Sequence, residues 1–165
     1  MKHKKNYLII SIISALLFLG CGQQKLSQQE IENIKEEIRT LISEQSEAFE
    51  TGNIEYFKNA VSEDIIGFGT HDKAVYTNSE EWAESFQRSF QSMDTTPWNI
   101  KFAEVRHLSI QVSETGDMAT AIYEEPLEMI FEGESQLGLL RMATTWRKEN
   151  GEWKIVQWLG ARPVE

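Results

Sequence analysis

The chain has 165 residues, 41% of them hydrophobic and 25% charged, with a formal net charge of −10. That fits one globular domain with room for a core, and so acidic a surface repels polyanions, which excludes nucleic acid as a partner. Cys21 is the only cysteine, so no intrachain disulfide can form and the fold must stand on packing alone.

The first twenty residues do not belong to the domain. Lys2, Lys4 and Lys5 form a basic opening, and Tyr7 to Leu19 form an apolar run of thirteen residues broken only by Ser11 and Ser14. As helix that run spans about 20 Å, short of the bilayer core of about 30 Å, so it reads as a secretory signal peptide rather than a membrane anchor. It ends in Phe18-Leu19-Gly20-Cys21, followed by Gly22-Gln23-Gln24-Lys25. A small residue, a cysteine and then a polar stretch resembles the lipobox of bacterial lipoproteins, with Phe18 where leucine is usual. The resemblance implies cleavage before Cys21 and acylation of its thiol and new amino group by palmitate-type chains. Such chains hold a protein stably on a membrane, facing away from the cytoplasm in the cell envelope. Removing residues 1–20 takes away three lysines and no acidic residue, moving the net charge from −10 to −13. The organisation is then a signal peptide over 1–20, an acylated cysteine and tether over 21–26, and one domain over 27–165.

Ser27-Gln-Gln-Glu30 is a capping-box pattern with Leu26 placed as a hydrophobic staple. Ile31, Ile34, Ile38, Leu41, Ile42, Ala48 and Phe49 recur at helical spacing after it. Gly52 suits a helix end and Asn53 the cap of a second, shorter helix carrying Ile54, Tyr56, Phe57 and Val61. A strand is predicted over Ile65 to Gly69, a loop over Thr70 to Lys73 and a short strand over Ala74 to Tyr76. Asn78, with Glu81 three residues on, caps a third helix bearing Trp82, Phe86 and Phe90 on one stripe.

Long strands follow. Trp98, Ile100 and Phe102 alternate, and Leu108, Ile110 and Val112 continue the parity. Glu104 and Arg106 interrupt this face, which suggests a bulge or a polar pocket wall. Thr115-Gly116-Asp117 turns into a strand from Met118 to Phe131, where Pro126 implies an edge or a bulge. After a turn at Glu132 to Ser135, the chain closes on a hairpin around Asn150-Gly151, a pair suited to the positive φ angles of a type I′ turn. Simple alternation puts Ile155, Gln157 and Leu159 on one face of the last strand, and Lys154, Val156 and Trp158 on the other. Helices first and antiparallel strands after them argue an α+β fold, with about three helices packed on one face of a curved antiparallel or mixed sheet and a cone-shaped cavity between them.

This order, together with Glu50-Thr-Gly-Asn-Ile54, Ser62-Glu-Asp-Ile-Ile66 and Arg147-Lys-Glu-Asn-Gly-Glu-Trp-Lys-Ile-Val156, resembles the SnoaL-like branch of the nuclear transport factor 2-like superfamily over roughly residues 27–163. The resemblance implies the cone-shaped fold but not one activity, because its members include isomerases, dehydratases, cyclases and non-catalytic binding modules. Relatives often carry histidines and a serine along the last strand, at positions that fall here on Gln157, Leu159 and Ala161. That replacement argues against catalysis.

Chemistry in such a cavity needs a carboxylate or histidine inside apolar surroundings. His71, Glu104 and Glu124 are the catalytic candidates. His71-Asp72 equally suits a solvated turn, and His107 a surface or dimer face. Arg106, Glu125 and Arg141 are further ionisable groups on strands, for which a cross-strand ion pair is the bland alternative. Tyr56, Trp82, Phe86, Trp98, Arg141 and Gln157 are the expected pocket residues, against the competing reading that the aromatic ones only fill the core. No Cys/His cluster, calcium loop, phosphate loop or nucleophile elbow is present, so neither metal nor cofactor is expected. The expected function is binding of a small, partly apolar ligand or a protein partner without catalysis. The alternatives are an isomerase, dehydratase or cyclase with a pocket His or Glu as base, and a homodimeric interaction module.

Overall fold

The computed structural model describes residues 25–70, 75–95 and 98–163. The predicted signal peptide, Cys21 and His71 lie outside the described residues, as does the side chain of Trp98. In chain order the elements are α1 Gln28–Glu50, α2 Ile54–Asn59, β1 Val61–Phe68, β2 Val75–Tyr76, α3 Ser79–Thr95, β3 Trp98–Phe102, β4 Arg106–Val112, β5 Met118–Phe131, β6 Glu134–Glu149 and β7 Glu152–Ala161. Every described element lies between Gln28 and Ala161, so a chain starting at Gly22 keeps the whole fold. Among the described residues, no helix is long and apolar enough to cross a membrane.

The helix ends follow local chemistry. The Glu30 amide donates to Ser27 Oγ, and the Glu30 carboxylate accepts from the Ser27 amide at 2.8 Å, which completes the capping box. Gly52 takes the left-handed conformation (φ 65°) that closes α1, and Asn53 Oδ1 accepts from the Tyr56 amide to start α2. Asn78 Oδ1 likewise accepts from the Glu81 amide at 2.9 Å at the head of α3.

The seven strands form one curved, unclosed sheet in the order β2-β1-β7-β6-β5-β3, with β4 also paired to β5. Only β1 and β7 run parallel; the other pairs are antiparallel. A Cβ on Gly67 would stand 2.1 Å from the Trp158 carbonyl oxygen, so the close approach of β1 to β7 requires glycine there. The closing hairpin turns at Asn150 (φ 52°) and Gly151 (φ 90°), as a type I′ turn demands. The α+β architecture agrees with the sequence-based expectation. Its core joins Ile34, Ile38 and Ile42 of α1 to Phe57, Trp82, Tyr123, Trp146 and Ile155.

Three local expectations are corrected. The long strand expected over residues 98–112 is two, β3 and β4, which pair with successive halves of β5: β4 with Ala119 to Glu124, β3 with Leu127 to Phe131. Pro126 stands at that changeover, neither at an edge nor in a bulge. Its missing N–H falls where no ladder partner is due, and its carbonyl accepts from the Ala103 amide at 2.9 Å. The third correction concerns β7. Thr145 pairs with Gln157 but Trp146 with Ile155, so Val156 is an extra residue that reverses the alternation. Past it, Trp158 and Gly160 face inward while Gln157, Leu159 and Ala161 face out.

Candidate functional site

A cavity of about 700 Å³ opens between the helices and the inner face of the sheet. Its walls are mainly apolar, with Phe49, Phe86, Ile100, Phe102, Leu127 and Trp158 among the contributors. That volume and lining fit a small-molecule site.

Strand alternation places one carboxyl in this cavity. On β5, Ala119, Ala121, Tyr123, Glu125 and Leu127 share the inner face, and Glu125 is only 5% exposed. Its Oε1 lies 2.5 Å from Ser46 Oγ of α1, and that same hydroxyl lies 3.1 Å from the Ile42 carbonyl oxygen. A serine hydroxyl has one proton to give. If Ser46 donates to the Ile42 carbonyl, the contact with Glu125 is satisfied when the carboxyl keeps its own proton and donates it to Ser46. Burial pushes the Glu125 carboxyl above the usual range and the nearby charge of Glu50 adds to this, while a bond donated by Ser46 would oppose it. Gln45, one residue earlier on α1, also lines the cavity at 8% exposure, and no hydrogen bond joins its amide to another described residue. The polar end of the cavity therefore offers a buried carboxyl, whose neutral form burial favours, and the Gln45 amide, which has no partner among the described residues and can donate to or accept from a ligand.

The expected site residues divide sharply. Phe86 lines the cavity. Trp82 does not: it is fully buried in the core, its indole N–H donating to the Phe57 carbonyl at 3.0 Å. Tyr56 borders a separate shallow groove beside Leu41 and Trp153, with its hydroxyl donating to the Leu41 carbonyl. Arg141 and Glu124 form an ion pair at 3.1 Å on the outer face, with His107 Nε2 3.8 Å from the same carboxylate, so neither Arg141 nor Glu124 reaches the cavity. Glu104 is exposed in the β3–β4 connection. Gln157 faces out because of the Val156 bulge, which also removes the argument against catalysis drawn from positions 157, 159 and 161. Those side chains never faced the cavity. Glu125 stood among five ionisable strand residues, and the apolar character of positions 119, 121, 123 and 127 was the signal that singles it out. Gln45, Ser46 and Arg162, which also line the cavity, carried no comparable signal.

A family model described as a SnoaL-like domain matches residues 38–165. No curated protein matches the chain. Among solved structures, the chain is similar to a protein from Streptomyces avermitilis whose description proposes a dehydratase of the NTF2-like family. The TM-score is 0.68 at 16% identity, covering 81% of this chain and 99% of that one. It is also similar to an NTF2-like protein of unknown function from Pseudomonas putida, with a TM-score of 0.64 at 20% identity over 79% and 87% of the two chains. An NTF2-like protein with a cystatin-like fold from Novosphingobium aromaticivorans gives a TM-score of 0.65 at 18% identity over 79% and 82%. At these identities the likeness shows the fold alone.

Proposed function

The chain belongs to the SnoaL-like domain family, and on that premise we propose that it binds a small, largely apolar molecule carrying a hydrogen-bonding group, without converting it. An acylated Cys21 would hold the domain on a membrane of the bacterial cell envelope, facing away from the cytoplasm. The observation that carries the binding reading is the apolar cavity with its one buried carboxyl, Glu125, beside the free Gln45 amide.

1-Decanol, added to the chain from Gly22 onward, is expected to change tryptophan fluorescence saturably by altering the surroundings of Trp158, which lines the cavity. At a ligand concentration about a hundred times Kd, the stability gain would be about 2.7 kcal/mol. Leu140→Trp, which fills the cavity from the sheet side, should abolish both effects. A fluorescence change and stability gain that persist in that variant would place the ligand elsewhere and sink the reading.

The same carboxyl favours a second reading, an isomerase, dehydratase or cyclase in which Glu125 moves the proton and Gln45 donates to the substrate oxygen. Among the described residues, Glu125 and Arg162 are the titratable groups that line the cavity, so one carboxyl there would have to act as both base and acid. That favours binding over turnover. Glu125→Gln keeps the hydrogen bonding and removes the proton transfer, so turnover lost with binding intact would establish the enzyme.

A homodimer through the outer face of the sheet completes the proposal. Phe68, Leu159, Ala143 and Ile122 lie in register across β1, β7, β6 and β5, and Phe68 and Ile122 are more than half exposed. An apolar row of this kind, flanked by polar rows, suits an isologous contact. Sedimentation at micromolar concentrations should show a dimer that Ile122→Asp converts to monomer; a wild-type chain that stays monomeric throughout would remove it.

A further inference from the structure

Arg162 is the second charged group of the cavity, and its place follows from the sheet register. Arg141 pairs with Ala161, so the next residue of the chain stands beside Leu140, and Leu140 pairs with Glu125. Trp158 and Gly160 face inward, and Arg162, one residue past the end of β7, lines the cavity together with Trp158. Two strand spacings, roughly 10 Å, then separate its backbone from that of Glu125. Unlike Glu125, Arg162 is exposed, so it sits at the mouth while the carboxyl sits in the buried interior. No hydrogen bond or ion pair joins Arg162 to another described residue. Among the described residues no carboxylate engages this arginine at the edge of the apolar cavity, which leaves its donors available to a ligand.

We propose that the cavity takes an apolar molecule ending in a carboxylate, whose charge is held by Arg162 at the mouth while its apolar body enters towards Glu125. This rests on the ligand-binding reading above and names the class of ligand. The planar guanidinium fork matches a carboxylate with two parallel hydrogen bonds, and here none of its donors is committed to another described residue. The opposite orientation is unfavourable. A carboxylate beside Glu125 and Gln45 would be a buried anion with no cation at contact distance. The net charge of −10 disfavours any anion at long range, but physiological salt screens that field beyond about 8 Å, so the contact with Arg162 decides. A phosphate dianion would meet the same repulsion with twice the charge, which favours the carboxylate.

Decanoate and 1-decanol separate the head group from the body. An ionised carboxylate is the worse guest for an apolar cavity in every respect except a cationic partner, so a preference for decanoate reports that partner. Calorimetric titration of the chain from Gly22 onward, at neutral pH and physiological salt, is expected to give decanoate about tenfold tighter binding than decanol. Arg162→Gln should bring decanoate down to the level of decanol or below and leave decanol unchanged. Arg162→Lys should keep part of the preference. Both variants alter an exposed side chain with no partner among the described residues, so their melting temperatures without ligand should match the wild type. Decanol binding with no preference for decanoate would overturn the assignment while leaving the ligand-binding reading intact. A preference that survives Arg162→Gln would also overturn it, because the carboxylate would then sit at the Glu125 end. Binding of neither probe would remove both.

Discussion

Replacing Trp82 with alanine is expected to lower the stability of the fold by about 3–5 kcal/mol, the range for truncating a large buried aromatic side chain. Trp82 is fully buried, and its ring packs within 5.0 Å of Tyr76, 4.6 Å of Phe86 and 5.0 Å of Trp158 between ring centres. It therefore joins α3 to β2 and β7, the elements that close the fold around β1. The substitution also leaves the Phe57 carbonyl without the indole N–H, a loss that adds to the void. Urea unfolding should show a lower midpoint with an unchanged slope, since the surface exposed on unfolding is nearly the same. The size of the effect separates core from cavity wall. A tryptophan lining a preformed cavity loses fewer contacts on truncation, so a cost below about 1.5 kcal/mol would move Trp82 back among the ligand contacts.

The part of this architecture legible from the residues is the part set by short-range chemistry. The capping box at Ser27, the caps at Asn53 and Asn78, and the turn at Asn150-Gly151 depend on residues within four positions of one another, and each stands where expected. The extent of β5 was equally legible, because turns bound it on both sides. What escaped depends on partners far along the chain. The bulge at Val156 follows from how β7 fits between β6 and parallel β1, and one extra residue there exchanged the two faces of the strand. Pro126 looked like an edge signal because the split of its neighbour into β3 and β4 was invisible in the alternating pattern. The site shows the same division. Glu124 and Glu125 are adjacent and identical in type, and only the face of β5 decides which one meets Arg141 outside and which one meets Ser46 within. Polar residues at the head of the cavity, Gln45 and Ser46, come from a helix whose pattern marks them as near the apolar stripe but says nothing about the strand opposite.

Glu125 should give the chain a stability that falls as pH rises, and Glu125→Gln should abolish that fall. The sign follows from proton counting. Burial holds the folded-state carboxyl above its ordinary value of 4.5, so below that value folded and unfolded chains both keep the proton and nothing is lost. As pH climbs past 4.5, the unfolded chain releases its proton while the folded chain retains it, and the fold loses up to about 1.4 kcal/mol per pH unit. The loss stops once pH passes the folded-state value. Other carboxylates act in the opposite direction, among them Asp64, held down first by its hydrogen bond from Arg147, and Glu149, held down first by Ser62. Both are present in wild type and variant alike, so the difference between the two stability curves isolates Glu125. Glutamine at 125 cannot titrate, and its stability relative to wild type should therefore climb with pH and then level off. The pH of levelling measures where Glu125 ionises in the fold. 1-Decanol binding should weaken in the wild type as pH passes that levelling point, because an ionised carboxyl makes the cavity more polar and can no longer donate its proton, and the variant should show no such change. Parallel stability curves between pH 4 and pH 8 would mean that Glu125 is not a buried acid, and the polar end of the site would then rest on Gln45 alone.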